Sequence, residues 1–136
     1  MDIIPIHPDG LHAVWARVKE GLLKILERSP DDWLPEDVYH ALKGGQAQLF
    51  ICTGVQGLEG FFVLRVVRRE FSKVQDMHVW CAHSVGDGDV FDRGLNFVCE
   101  AARKAGCQRV TFGSQREGWK KRFAVDEITY RIDLNG

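Results

Sequence analysis

A chain of 136 residues with a formal net charge of −1, 45% hydrophobic and 27% charged, has the profile of one ordinary globular domain over residues 1–136. That balance offers no basic excess for nucleic acid and no acidic tail for a basic partner, and no apolar run approaches the roughly 20 residues that span a bilayer. The four cysteines (Cys52, Cys81, Cys99 and Cys107) have no CxxC pairing and follow no secretory leader, so reduced thiols in a cytoplasmic protein are expected.

The first element is Asp2-Ile3-Ile4-Pro5-Ile6, where Pro5 lacks the N–H that a central strand needs, which predicts an edge strand. His7-Pro8-Asp9-Gly10 ends it. Leu11, Val14, Trp15, Val18, Leu22, Ile25 and Leu26 then recur at helical spacing until Ser29-Pro30 breaks the pattern. Pro35-Glu36-Asp37 suits the first turn of a second helix, which turns Val38, Ala41 and Leu42 inward and stops at Gly44-Gly45. Ala47–Thr53 and Phe61–Arg68 read as a hairpin around a glycine-rich connection from Gly54 to Gly60. A turn at Arg68-Arg69-Glu70 leads into a third antiparallel strand, Val74–Ala82. There Met77, Val79 and Cys81 are expected to face one way and His78, Trp80 and Ala82 the other.

The stretch from Val74 to Phe123 reads as a β-α-β-α unit. Its turn is His83–Asp89, and its helix Phe91–Ala105 carries Phe91, Leu95, Val98 and Ala102 on one face. Gly106 is the expected left-handed end of that helix. A strand at Gln108–Gly113 and a short basic helix at Gln115–Phe123 follow. Strands joined in this way lie parallel with a right-handed crossover, and ligands sit at the ends of such strands. A last strand is predicted where Ile128, Tyr130, Ile132 and Leu134 alternate with Thr129, Arg131 and Asp133.

His78-x-x-Cys81-x-His83 has metal-ligand residue types, but alternation in a regular strand sends His78 and Cys81 to opposite faces, so no metal is expected. Asp87, Asp89 and Asp92 lack the twelve-residue calcium pattern with its terminal glutamate. Trp15 and Trp80 are expected in the core and Trp33 in a lid or contact surface. Trp119 is expected as a plug between helix and sheet, or as an anchor at a pocket rim. Arg116, Lys120 and Lys121 are either a solvated face or an anion contact.

In its order of elements the chain resembles the GNAT superfamily of acyl-CoA-dependent N-acyltransferases. Cys99 to Val110 looks like the end of that family's central helix and the strand after it. Gly118-Trp119-Lys120-Lys121-Arg122-Phe123 sits where the family carries Phe-Tyr-x-Lys-x-Gly-Phe, and Ser114-Gln115-Arg116-x-Gly-Trp is most similar to small phage-encoded GNAT-like proteins. The resemblance implies an α/β fold with a mixed, mostly antiparallel sheet, one parallel β-α-β pair and helices on both faces. It also implies acetyl-CoA held by backbone contacts of Ala82, His83, Ser84, Val85, Gly86 and Gly88, with Trp80, Arg116 and Trp119 as further ligand or partner contacts.

Two departures from the family pattern bear on activity. The pyrophosphate turn, Gln/Arg-x-x-Gly-x-Gly/Ala in active members, here reads Val85-Gly86-Asp87-Gly88-Asp89-Val90 and is followed by Asp92. A helix start contributes roughly 0.3–1 kcal/mol per anion, which three carboxylates can cancel unless a cation such as Arg93 folds back on them. Trp119 replaces the tyrosine that serves as general acid, and indole N–H is not a usable acid in water. Asp76, Glu59 and Glu70 are the base candidates, and no catalytic residue is assigned. Two readings stay open: an acetyl-CoA-dependent N-acetyltransferase acting on an amine, or a catalytically inactive phage protein of this fold that binds a protein partner. The second would work in the host cytoplasm or as a virion component. A homodimer joined through an open strand edge is compatible with either.

Overall fold

The computed structural model describes residues 2–55, 57–85, 88–114 and 117–134, without the side chains of residues 88–91 and 117. The sheet follows chain order. Strands β1 (Asp2–Ile6), β2 (Gln48–Gly54), β3 (Gly57–Arg68) and β4 (Gln75–Ser84) pair antiparallel in sequence, and β5 (Arg109–Phe112) joins β4 in parallel. Helices α1 (Leu11–Arg28) and α2 (Pro35–Lys43) come between β1 and β2, and α3 (Gly88–Lys104) forms the crossover from β4 to β5. Short 3₁₀ helices occupy Pro8–Gly10 and Glu117–Lys121. The mixed sheet with one parallel pair is the architecture expected from the sequence.

Local chemistry explains the boundaries. At the start of α2, Pro35 needs no N–H partner, and the Leu34 N–H donates to the Asp37 carboxylate at 2.8 Å. Gly45 and Gly106, both at φ +78°, end α2 and α3 in the left-handed conformation open to glycine; after Gly106 the Cys107 N–H returns to the Ala102 carbonyl at 2.9 Å. Three ends move from their predicted positions. β3 begins at Gly57 inside the glycine-rich connection, β4 runs on to Ser84, and α3 starts at Gly88 rather than Phe91.

Alternation in β2 and β3 divides the core between the two faces of the sheet. Leu49, Ile51, Phe61 and Val63 meet Leu11, Val18 and Leu22 of α1 and Val38 and Leu42 of α2. Phe50, Cys52, Phe62 and Leu64 meet Val98 and Ala102 of α3. The approach of α1 to the sheet depends on Gly21, where an added Cβ would run into the Phe61 ring. Trp33, expected in a lid, is instead buried with this first core and meets the Trp80 ring edge-on at 6.3 Å. A tryptophan between two helices can cover their shared apolar floor as readily as it can face solvent.

The predicted last strand is absent. Among the described residues from Ala124 onward the chain forms no helix or strand, and Ile128, Tyr130, Ile132 and Leu134 are exposed. Alternation marks a segment able to pair, but pairing requires an available edge. Asp126 is held by Arg69 and Arg109 at the β3–β4 hairpin end, and the apolar side chains beyond it meet no core.

Candidate ligand cleft at the end of strand β4

The parallel pairing of β4 with β5 runs from Asp76–Arg109 to Val79–Phe112, whereas β4 continues to Ser84. β5 ends at Phe112, and among the described residues no strand pairs with Trp80–Ser84 on that side, which leaves Trp80–His83 as a free edge of β4. The end of the β4–β5 pairing coincides with a bulge in β4. Val63 faces Cys81 and the next residue of β3, Leu64, faces Val79, leaving Trp80 as the extra residue of β4.

The bulge corrects the expected alternation. Met77 and Val79 pack toward α3, but Cys81 joins the core on the α1 side, where Trp80 also packs. The guanidinium of Arg65 lies 4.6 Å above the Trp80 ring. Among the described residues no three His, Cys, Asp or Glu side chains converge as metal ligands.

Ala82, His83 and Ser84 are the last residues of β4. The Val85 N–H donates to the Glu59 carbonyl at 2.9 Å, fixing the exit from β4 against β3, and α3 begins at Gly88. A helix start presents unpaired N–H groups and a partial positive charge to anions. Gly86, Asp87 and Arg116 lie outside the described residues, as does the side chain of Asp89. Asp92 is paired with Arg122 at 2.7 Å, which offsets this carboxylate and ties the last 3₁₀ helix to the opening turns of α3.

Trp119 stands beyond the end of β5, edge-on to Phe112 at 5.4 Å and 5.8 Å from Phe123, with its indole N–H donated to the Ser114 hydroxyl at 3.0 Å. It is half-buried and serves as part of an aromatic wall with Phe112 and Phe123. The spacing of Trp119 and Phe123 could have signalled the wall; the Arg122–Asp92 pair, thirty residues apart, had no sequence signal.

The acid–base candidates have structural settings. Asp76 is buried at the start of β4, and its carboxylate accepts from Arg109 at 2.8 and 2.7 Å with Arg69 at 3.6 Å. The Arg109 hydrogen bonds hold it below the usual carboxylate range, which removes it as a general base near neutral pH. Burial pushes the Cys81 thiol up to about 12, so it is an inert core group. Glu70 lies on the exposed hairpin turn, away from the free edge.

His78 hydrogen-bonds Thr111 across β4–β5 at 2.9 Å, and His83 lies against Phe61 with ring centroids 5.7 Å apart. Both titrate below an ordinary histidine. Burial is the main cause, reinforced by Arg65 for His78 and by Arg28 and Lys24 for His83. Between the folded values and about 6.5 the unfolded chain therefore binds more protons, so stability is full above about pH 6.5 and falls as the pH drops below it. Urea unfolding at pH 7.5 and pH 5.5 is expected to give the lower midpoint at pH 5.5, with the difference reduced in His78→Gln. An unchanged difference in that variant would remove His78 from the account.

A cavity of about 200 Å³ lies between Ile6, Leu11, Leu42 and Leu49, and another of about 190 Å³ between α3 and the start of β5. Both are smaller than usual ligand pockets, and neither is lined by the free edge of β4.

The five-stranded sheet in chain order, with β5 parallel to β4, is a GNAT-like fold. A ribosomal-protein-alanine N-acetyltransferase from Brucella melitensis biovar Abortus 2308 superposes with a TM-score of 0.71 at 13% identity, over 98% of this chain and 100% of that one. A possible acetyltransferase from Clostridium difficile 630 gives 0.69 at 7% identity, over 98% and 97%. An aminoglycoside acetyltransferase from an uncultured soil metagenomic sample, in complex with sisomicin, gives 0.66 at 10% identity, over 97% and 93%. No family model and no curated protein matches the sequence. At such identities the likeness is one of fold.

Proposed function

We propose that the protein is an acetyl-CoA-dependent N-acyltransferase whose cofactor lies along β4 from Trp80 to Val85 and reaches the start of α3. The observation that carries this reading is the free β4 edge opposite the end of β5. A pantetheine arm contains amides and can pair with an open strand edge as a peptide does. The helix start at Gly88 suits a pyrophosphate, and Arg122 lowers the opposing charge by holding Asp92.

The thioester, when bound, supplies the electrophilic acyl carbon. The chain's own contribution is placement: main-chain groups of β4 orient the arm, and Trp119, Phe112 and Phe123 wall the space beyond β5. Trp119 gives no proton to a departing thiolate, so solvent or the incoming amine must do so. This predicts modest turnover, dominated by positioning.

Titration of acetyl-CoA by calorimetry, with thermal unfolding alongside, tests the reading. Saturable micromolar binding is expected, and ligand at a hundredfold its Kd should add about 2.7 kcal/mol to stability. Silence up to millimolar acetyl-CoA would overturn the cofactor site and leave a binding role for this fold.

A further inference from the structure

We propose that Glu127–Leu134 is a dimerisation arm that adds as a strand to the β3–β4 hairpin of a second copy of this chain. The arm has a strand's alternation without a strand's partner: Ile128, Tyr130, Ile132 and Leu134 are 55, 84, 86 and 89% exposed. A receiving edge exists at the same end of the molecule. β2 begins at Gln48, paired with Leu64, so among the described residues Arg65–Arg68 of β3 has β4 on one side and no strand on the other. Val66 and Val67 of this overhang are exposed, as is Phe71 in the turn beyond it, at 95%. Open edges of this kind accept an added strand through main-chain hydrogen bonds.

Charge selects the same pairing. The hairpin end carries Arg65, Arg68, Arg69 and Lys73 against Glu70 and Asp76, and the segment from Ala124 carries Asp126, Glu127 and Asp133 against Arg131. Within one chain Asp126 already bridges Arg69 at 2.9 Å and Arg109 at 2.8 Å. Arm and hairpin therefore lie together, and a two-fold axis beside them would place each arm on the other copy's hairpin in one self-complementary contact. The chain's own hairpin is not the occupant, because with Asp126 clamped there Phe71 and the four apolar arm residues remain uncovered.

The area suffices. Aromatic side chains bury roughly 150–250 Å² each, so Tyr130 and Phe71 from both copies contribute roughly 600–1,000 Å². The five exposed aliphatic side chains, counted twice, bring the total into the roughly 1,200–2,000 Å² of a specific interface.

Sedimentation of the full chain over a concentration series tests the proposal, which does not depend on any acyltransferase activity. A dimer is expected. Tyr130→Glu/Ile132→Glu in the arm and Val66→Glu in the hairpin should each weaken it about 30-fold or more, as loss of an interface anchor does. Their far-UV spectra should be unchanged, since none of these side chains is in the core. A chain that stays monomeric to about 100 µM, far weaker than specific dimers, overturns the proposal. So does a dimer that both variants leave intact, which would place the interface elsewhere.

Discussion

Gly60→Ala is expected to destabilise the protein by about 2–3 kcal/mol, with a lower urea midpoint, although alanine ordinarily suits a strand better than glycine by about 0.5–1 kcal/mol. The sign reverses because of what an added methyl would meet. A Cβ at Gly60 would lie 2.6 Å from the His83 carbonyl oxygen and 3.3 Å from the Ser84 Cα, both main-chain atoms of β4. A side chain could rotate away from the methyl; the neighbouring strand has to shift as a unit. Gly60 faces Ser84 in the register, so the displaced backbone is the end of β4 assigned to the cofactor. Acetyl-CoA affinity should therefore fall with stability in this variant. A change within about 0.5 kcal/mol, typical of an inconsequential surface substitution, would show that β3 and β4 do not approach this closely.

Asp76→Ala is expected to cost about 2–3 kcal/mol at pH 7. Its carboxylate is 5% exposed and takes both Arg109 hydrogen bonds, so the substitution leaves Arg109 and Arg69 with only Asp126 between them. Breaking a fully buried pair costs about 3–5 kcal/mol; the lower figure here reflects two guanidiniums that are themselves over a third exposed and can turn to water. The pH dependence gives an independent check. The folded-state pKa of Asp76 is depressed, so its contribution is full above about 3.9, the unfolded value, and is lost as the pH falls through the folded value. The gap between wild type and Asp76→Ala in urea unfolding should therefore narrow from pH 7 to pH 2.5. A constant gap would mean that the aspartate acts through packing rather than charge.

The two substitutions probe different ends of β4. Gly60 lies opposite the ligand end, and Asp76 fastens the end where the arm departs. Loss of Asp76 also loosens the clamp on Asp126, so the variant should show a weaker dimer alongside its lower stability.

Features that depend only on neighbours along the chain were legible in the residues. The spacing from Leu11 to Leu26 gave α1, Pro35 with Asp37 gave the start of α2, and Gly106 gave the left-handed end of α3. The apolar runs Ala47–Thr53 and Phe61–Arg68 gave the β2–β3 hairpin. Tertiary structure decided whatever depends on a distant partner. The bulge at Trp80 follows from the register with β3, and it sends Cys81 to the opposite face from the one alternation predicts. Arg122 reaches Asp92, and Asp76 becomes an ion-pair anchor rather than a base, through contacts across thirty or more residues. The segment from Ile128 to Leu134 makes the distinction plainest: periodicity specifies which side chains share a face, whereas a strand forms only where another backbone offers it hydrogen bonds.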